Sequence, residues 1–205
     1  MSRFAVVLLA CVLPLAAGQV ARGGERASFD VGGGLLMGGY LGDLQDNWSP
    51  GMGGSLFIQV PWCCDTEGRL RASMLWNDGA TRGGVVGDGP DLGALEGDTP
   101  RSFRRTSYEA TLLWRAECCP IGDAGVPYLG AGIAAYERDI VYDNPSGRNE
   151  VGAWSWGGHG VAGLRLYRTS GLFVALEGTL HAFDTPKKWT VGYDAALLVG
   201  VRLAP

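Results

Sequence analysis

The sequence predicts an all-β protein, an eight-stranded antiparallel up-and-down transmembrane β-barrel. Apolar and polar residues alternate with period two in one segment after another, which is typical of strands with a single apolar face. Eight segments show this alternation, and single-chain bacterial membrane barrels have an even number of strands. The connections between them alternate between short and long, as expected when short turns lie on one side of a membrane and long loops on the other.

The segments follow one another along the chain with little besides turns and loops between them. In RTSYEATLLWRA, residues 105–116, Leu112 and Trp114 lie on one face and Glu109 lies on the other. The predicted strands are residues 27–37, 53–62, 69–77, 105–116, 127–138, 154–168, 172–184 and 190–203. The predicted short connections are 63–68, 118–126 and 169–171, and the predicted long ones are 38–52, 78–104 and 139–153.

The distribution of apolar residues indicates which face of each strand points outward. A soluble barrel of the lipocalin type, the alternative ligand-carrier interpretation, would place its apolar face inside. Here the apolar faces are continuous while the opposite faces mix Gly, Ser, Thr and charges, which favours lipid on the apolar side. Aromatic residues on the apolar faces lie at the segment ends, as in the two girdles of a membrane barrel. They are Trp62 and Trp114 beside the short turns, and Trp76, Tyr108, Trp154 and Trp156 beside the long loops.

The N-terminus has the features of a secretory signal. Arg3 precedes an apolar run from Phe4 to Ala16, and small residues follow it, so we expect residues 1–18 to be a signal peptide and residues 19–205 to form the barrel. A lipobox ending at Cys11 is the alternative, although the apolar run continues past that cysteine. Beyond this segment no apolar run reaches the ~18 residues of a membrane helix, so any span must be made of strands.

At the level of architecture the mature chain resembles the small eight-stranded outer-membrane barrels of the OmpA and OmpX type. The segment PYLGAGIAAYERD, residues 127–139, is similar to a Pro-Tyr-x-Gly-x-Gly strand of that group. The resemblance implies the outer membrane of a Gram-negative-type bacterium and a non-enzymatic structural or surface-interaction role. Outer-membrane lipid is then one partner, and the long loops could contact an extracellular one. Nucleic acid is excluded as a partner by the net charge of −4 and the scattered basic residues.

Charges of both signs are predicted on the inward faces. Eight strands leave an interior that side chains fill, and a lone buried ion is costly, so opposite charges should pair into a plug. A small-solute pore is the alternative, although a selective pore is more often lined by one sign of charge. The predicted lumen network consists of Asp30, Arg69, Arg71, Glu109, Arg115, Arg165, Glu177, Asp194 and Arg202.

The two histidines are predicted to face each other. A three-residue loop at 169–171 would pair residue 168 with residue 172, and the same register pairs His159 with His181, both inward and near the outer rim. With Ser155 and Glu177 on the same faces, they could form a His, Ser and acid site of a lipid-modifying outer-membrane hydrolase. A metal-binding or pH-sensing pair and a purely structural pair are the other readings. We predict no catalytic residues, no metal site and no cofactor.

Two adjacent cysteine pairs follow the second and fourth strands. Cys63 and Cys64 lie at one short turn, and Cys118 and Cys119 lie at the next turn on the same rim. Vicinal thiolates lack the spacing of a Cys-x-x-Cys zinc chelate. Disulfides between the two turns are therefore predicted, with free thiols as the alternative.

Overall fold

The chain forms one closed antiparallel barrel of eight strands, as predicted. A computed structural model describes residues 28–41, 48–63, 65–79, 99–116, 121, 125–144, 147–169, 171–184 and 189–203. Each strand pairs with its neighbours in sequence, and the first pairs with the last. Within these ranges no helix is long and apolar enough to cross a membrane. The strands are β1 (Phe29–Tyr40), β2 (Gly51–Cys63), β3 (Thr66–Asp78), β4 (Thr99–Arg115), β5 (Gly125–Asn144), β6 (Gly147–Thr169), β7 (Leu172–Asp184) and β8 (Trp189–Leu203).

The two ends of the barrel differ. We call the end with the β2–β3, β4–β5 and β6–β7 connections the turn end, and the opposite end the outer end. The predicted alternation of short and long connections is confirmed only in part, because only two residues separate β5 from β6 at the outer end. The predicted signal segment, residues 1–18, lies outside the described residues.

The main difference from the predicted strands is at residues 139–153, which were expected to form a long loop. Instead, β5 runs to Asn144 and β6 starts at Gly147, whose φ of +130° suits a glycine in a tight turn. Ile140 and Tyr142 are buried on the inward face, so the period-two pattern continues through this stretch. The Asp, Pro and Gly composition masked that pattern in the sequence.

Strands β4, β5 and β6 extend beyond the others at the outer end. The last residue of β3, Asp78, pairs with Ser102, whereas β4 begins at Thr99. On the other side, β6 pairs with β7 only from Gly157 onward. Residues 99–101, 142–144 and 147–149 therefore form a projecting three-stranded sheet, which we call the outer sheet.

The stagger of the strands sets the width of the barrel. Following paired residues once around the barrel leads from Asp30 through β2 to β8 and back to Tyr40, ten residues farther along β1. With strands about 4.8 Å apart and a rise of about 3.3 Å per residue, this stagger corresponds to a tilt of about 41° and a radius of about 8 Å. Side chains from opposite walls therefore meet in the middle of the lumen.

Inward glycines make room for aromatic rings in this narrow lumen. A Cβ added to Gly163 would collide with the ring of Tyr128, and one added to Gly200 would collide with the ring of Phe173. Phe173 and Tyr128 are buried, so their rings lie over glycine backbone and cover it. The close approach of ring and backbone explains part of the high glycine content, 34 residues in the chain.

Gly200→Ala is expected to destabilise the barrel by about 1–3 kcal/mol, because the added methyl group must displace the Phe173 ring. Gly160→Ala is the matched control, since a Cβ at that exposed position meets no atom within 4 Å. Both changes reduce the entropy of the unfolded chain equally. Denaturant unfolding in detergent micelles should show the loss only for Gly200→Ala. Equal stability of the two variants would contradict the ring-over-glycine packing.

Candidate functional site

The two faces of the barrel wall differ in polarity, as the alternation predicts. Adjacent leucines show the contrast: Leu35 is 67% exposed and Leu36 is fully buried, and Leu197 is 46% exposed while Leu198 is 1% exposed. The outward face is apolar and the inward face carries the buried charges. Tyr108 stacks on the Trp154 ring at a centroid distance of 6.1 Å. Exposed aromatic side chains on the outward face include Trp62, Trp76, Trp114, Trp154, Trp156 and Trp189.

The exposed tryptophans lie in two belts around the barrel. Trp76 pairs with Arg104, and Trp114 lies ten residues from Arg104 along β4. At about 3.3 Å per residue and a tilt of about 41°, the two indole rings are separated by roughly 20–25 Å along the barrel axis. That separation matches the apolar band of about 25 Å between the aromatic girdles of membrane barrels.

A first group of charges closes the lumen at the turn end. Asp30 contacts Arg202 at 2.9 Å and Arg165 at 3.4 Å. Glu67 contacts Arg165 at 3.1 Å and Arg115 at 3.3 Å. Both acids are about 1% exposed or less, so each is compensated by two guanidinium groups in a largely dry environment.

A second group lies one step farther into the lumen. Glu177 accepts hydrogen bonds from Arg69 and Arg71, both at 2.5 Å, and from the Tyr128 hydroxyl at 2.8 Å. Arg71 also pairs with Glu109 at 2.7 Å. Arg69 and Arg71 project from β3 and Glu177 from β7, so these contacts cross the lumen and join opposite walls.

A third group contains the histidines. Asp194 accepts a hydrogen bond from Arg105 at 2.5 Å, and its other oxygen lies 2.8 Å from Nε2 of His181. Nδ1 of His181 lies 3.1 Å from the Tyr136 hydroxyl. A neutral imidazole with its proton on Nε2 satisfies both contacts. His159 contacts the Thr111 hydroxyl through Nε2 at 2.8 Å.

Aromatic and aliphatic residues cover the charged groups at the outer end. The ring of Tyr136 packs against that of Phe183 at a centroid distance of 4.9 Å, and the ring of Tyr40 packs edge-on against that of Phe103 at 5.1 Å. All are buried, so the upper part of the lumen is screened from water. We call this set the outer aromatic cluster: Tyr40, Trp48, Phe103, Ala134, Tyr136, Ile140, Tyr142 and Phe183.

Three inward charges were missed by the sequence analysis. Glu67 falls in a stretch read as a turn, and Arg105 and Arg138 stand at the ends of predicted strands. Each is 2% exposed or less. The signal that could have found them is the period-two spacing, which puts Glu67 on the same face as Arg69, Arg105 with Ser107, and Arg138 with Tyr136. In the described part of the chain, the inward set contains seven arginines and five acids.

The predicted histidine pair is opposite as expected but is not at the rim. His159 and His181 are directly paired across β6 and β7, with ring centroids 6.1 Å apart. They are 6% and 0% exposed and lie below the outer aromatic cluster. The expected pairing of residue 168 with 172 is wrong, because an irregularity between Tyr167 and Thr169 pairs Thr169 with Leu172 instead.

The residues of the hypothetical hydrolase site are not brought together. Ser155 is four residues from His159 along β6, about 13 Å at strand rise, and its hydroxyl has no hydrogen-bond partner among the described residues. Glu177 is held by Arg69 and Arg71. A nucleophile and its base must lie within hydrogen-bond reach, and this geometry does not supply that contact. In the described ranges, no group of three or more His, Cys, Asp or Glu is placed to hold a metal ion.

Two further expectations concern single contacts. On the predicted hairpin register Arg165 is a diagonal neighbour of Glu177 and would be left without a partner if that acid were removed. This expectation is wrong, because Arg165 contacts Asp30 and Glu67. The predicted disulfides fall on Cys64, Cys118 and Cys119, which lie outside the described residues, and on Cys63, whose backbone alone is described.

The sequence matches no protein-family model and no curated protein. Solved structures are similar in fold. Neisserial surface protein A has a TM-score of 0.61 at 14% identity, covering 88% of this chain and 100% of its own. Ail, the attachment invasion locus protein of Yersinia pestis, has a TM-score of 0.57 at 11% identity, covering 87% of this chain and 100% of its own. The outer membrane protein OprG of Pseudomonas aeruginosa has a TM-score of 0.54 at 13% identity, covering 89% of this chain and 99% of its own. The chain therefore has the fold of the small eight-stranded outer-membrane barrels, as the sequence predicted.

Glu177→Gln is expected to lower the free energy of unfolding by about 3–5 kcal/mol, because it leaves buried guanidinium groups undercompensated. Asp139→Asn is the control, since its partner Arg104 is 46% exposed and surface pairs contribute about 0–1 kcal/mol. Denaturant titrations in micelles measure both. A loss at Glu177 as small as that at Asp139 would show that the lumen pairs are hydrated.

Proposed function

We propose that this protein is a non-enzymatic outer-membrane barrel with a side-chain-plugged lumen and a structural or surface-interaction role. The observation that carries the proposal is the pairing of charges across the lumen, Arg69 and Arg71 from β3 with Glu177 from β7. An apolar outward face with two aromatic belts supports a position in the membrane. The similar structures are outer-membrane proteins of Gram-negative bacteria, which supports the same location here.

The width of the barrel and the pairing of its inward charges support the plug. A barrel of about 8 Å radius has its interior occupied by inward side chains. Ion pairs between arginines and acids occupy the turn end and the middle of the lumen, and the outer aromatic cluster occupies the opposite end. A conducting path for ions or solutes would require these contacts to open together, which favours the plug over the small-solute pore.

The outer sheet is the part of the described chain that would stand clear of the bilayer. In it Arg101 pairs with Asp143 at 3.3 Å, and the Arg104–Asp139 pair lies at its base, level with the upper aromatic belt. Ail has been solved in complex with the heparin analogue sucrose octasulfate, so a barrel of this fold can bind a ligand. For this chain we propose that the outer sheet, with its mixed charges, is the surface that contacts an extracellular partner.

In a planar bilayer, the purified protein is expected to give at most small and infrequent conductance steps, because the lumen is occupied by paired charges and aromatic rings. Single-channel recording at neutral pH and moderate salt measures this directly. A large porin inserted under the same conditions is the positive control. Large, steady and ion-selective channels from the unmodified protein would overturn the plug and move the proposal to a pore.

A further inference from the structure

We propose that the outer end of the lumen contains a binding site for a small oxyanion between Arg105 and Arg138. The two arginines are directly opposite each other on β4 and β5, and both side chains point inward. They are 1% and 2% exposed. Like charges directly opposite on one face of a sheet repel each other, and burial strengthens that repulsion. An anion between them removes this penalty.

The protein supplies one carboxylate to this arginine pair. Arg105 donates to Asp194 at 2.5 Å, and Asp194 is shared with His181. Arg138 lies over the Phe183 ring at 5.5 Å, and within the described residues it has no hydrogen bond or ion pair. Asp184, at the end of β7, is exposed rather than turned into the lumen. The outer end of the lumen thus holds one more buried cation than buried anions.

Unused polar atoms surround the same place. Nε and Nη1 of Arg105 and Nε of Arg138 have no hydrogen-bond partner among the described residues. Neither do the hydroxyl groups of Tyr40, Ser155 and Thr190. Buried donors left unpaired cost free energy, and natural interiors rarely keep several together.

These atoms belong to one region of the lumen. Arg105 lies over the Tyr40 ring at 5.7 Å, and Tyr40 packs against Phe183, the ring beneath Arg138. Thr190 pairs with Phe183 across β7 and β8. Ser155 pairs with Tyr136, which also packs against Phe183.

The donors define the chemistry of the ligand. A phosphate, sulfate or carboxylate group has several acceptor oxygens and matches the planar fork of an arginine. A Cβ at Gly192 would lie 2.8 Å from Nη1 of Arg105, so this glycine gives the guanidinium group itself the room to lie against β8. Coverage by the outer aromatic cluster excludes water and strengthens the attraction. The phosphate group, which inorganic phosphate shares with a lipid headgroup, is the probe of choice.

The test is the thermal unfolding midpoint in uncharged maltoside micelles, with sodium phosphate exchanged for sodium chloride at constant ionic strength. If the site takes a soluble oxyanion, phosphate is expected to raise the midpoint of the unmodified protein and of Arg104→Gln, an exposed arginine on the adjacent position of β4. Arg138→Gln should lose the rise. An equal rise in all three proteins would overturn the site.

A second variant separates binding from structure. Without oxyanion, Arg138→Met should unfold at a higher temperature than the unmodified protein, because it removes an uncompensated buried charge, and phosphate should reverse that order. A variant less stable by the same amount in both buffers would make Arg138 a structural residue and contradict the proposal.

Two samples, one with inorganic phosphate and one with phosphatidylglycerol in the micelles, distinguish the two sources of the phosphate group by their unfolding midpoints. An Arg138-dependent rise with inorganic phosphate assigns the site to a soluble oxyanion. The same rise produced only by phosphatidylglycerol added to the micelles assigns it to a lipid headgroup. Absence of the rise in both samples rejects the site.

Discussion

Closure of eight strands with a stagger of ten residues is the constraint on which the rest of the structure depends. It fixes the radius at about 8 Å and makes every inward side chain a neighbour of the opposite wall. Several large rings fit because glycine lies beneath them, as at Phe173 over Gly200. Most inward charges lie in contact with an opposite charge, as Arg69 does with Glu177 across the lumen. The same closure leaves no unpaired edge in the main barrel wall, so backbone groups need no water within a bilayer.

The electrostatics of the lumen follow from its dryness. Glu177 is held by two guanidinium groups and a phenol, and Asp194 is held by a guanidinium and an imidazole. In such an environment the pairing of each acid is worth more than at the surface, and its loss costs more. The balance is uneven along the axis: acids and arginines interleave at the turn end, while at the outer end Arg105 pairs with Asp194 and Arg138, opposite it, has no ion pair among the described residues. Compensated charges thus lie at the turn end and in the middle of the lumen, and an excess of buried positive charge lies at the outer end.

The fold could be predicted from the sequence because each strand has one face toward lipid and one toward the lumen, and this produces the period-two alternation of apolar and polar residues. The sequence was sufficient for most inward charges for the same reason. It could not show that Arg69 reaches Glu177, because strand order determines which strands are neighbours but says nothing of contacts across the lumen. Nor could it place the histidines in depth, since that depends on the stagger around the ring. Arg138 was missed because Asp and Pro beyond it resembled a loop, whereas Ile140 and Tyr142 continue the inward face.

The central claim is that the apolar face of the wall meets lipid and the charged face is enclosed. Three pairs of adjacent leucines report on it: Leu35 and Leu36, Leu112 and Leu113, Leu197 and Leu198, the first of each pair exposed and the second buried. Methyl NMR of the protein in a lipid nanodisc measures cross-relaxation between leucine methyl groups and acyl chains. The account predicts strong transfer for Leu35, Leu112 and Leu197 and none for their neighbours. Transfer to both members of each pair, or to neither, would contradict it.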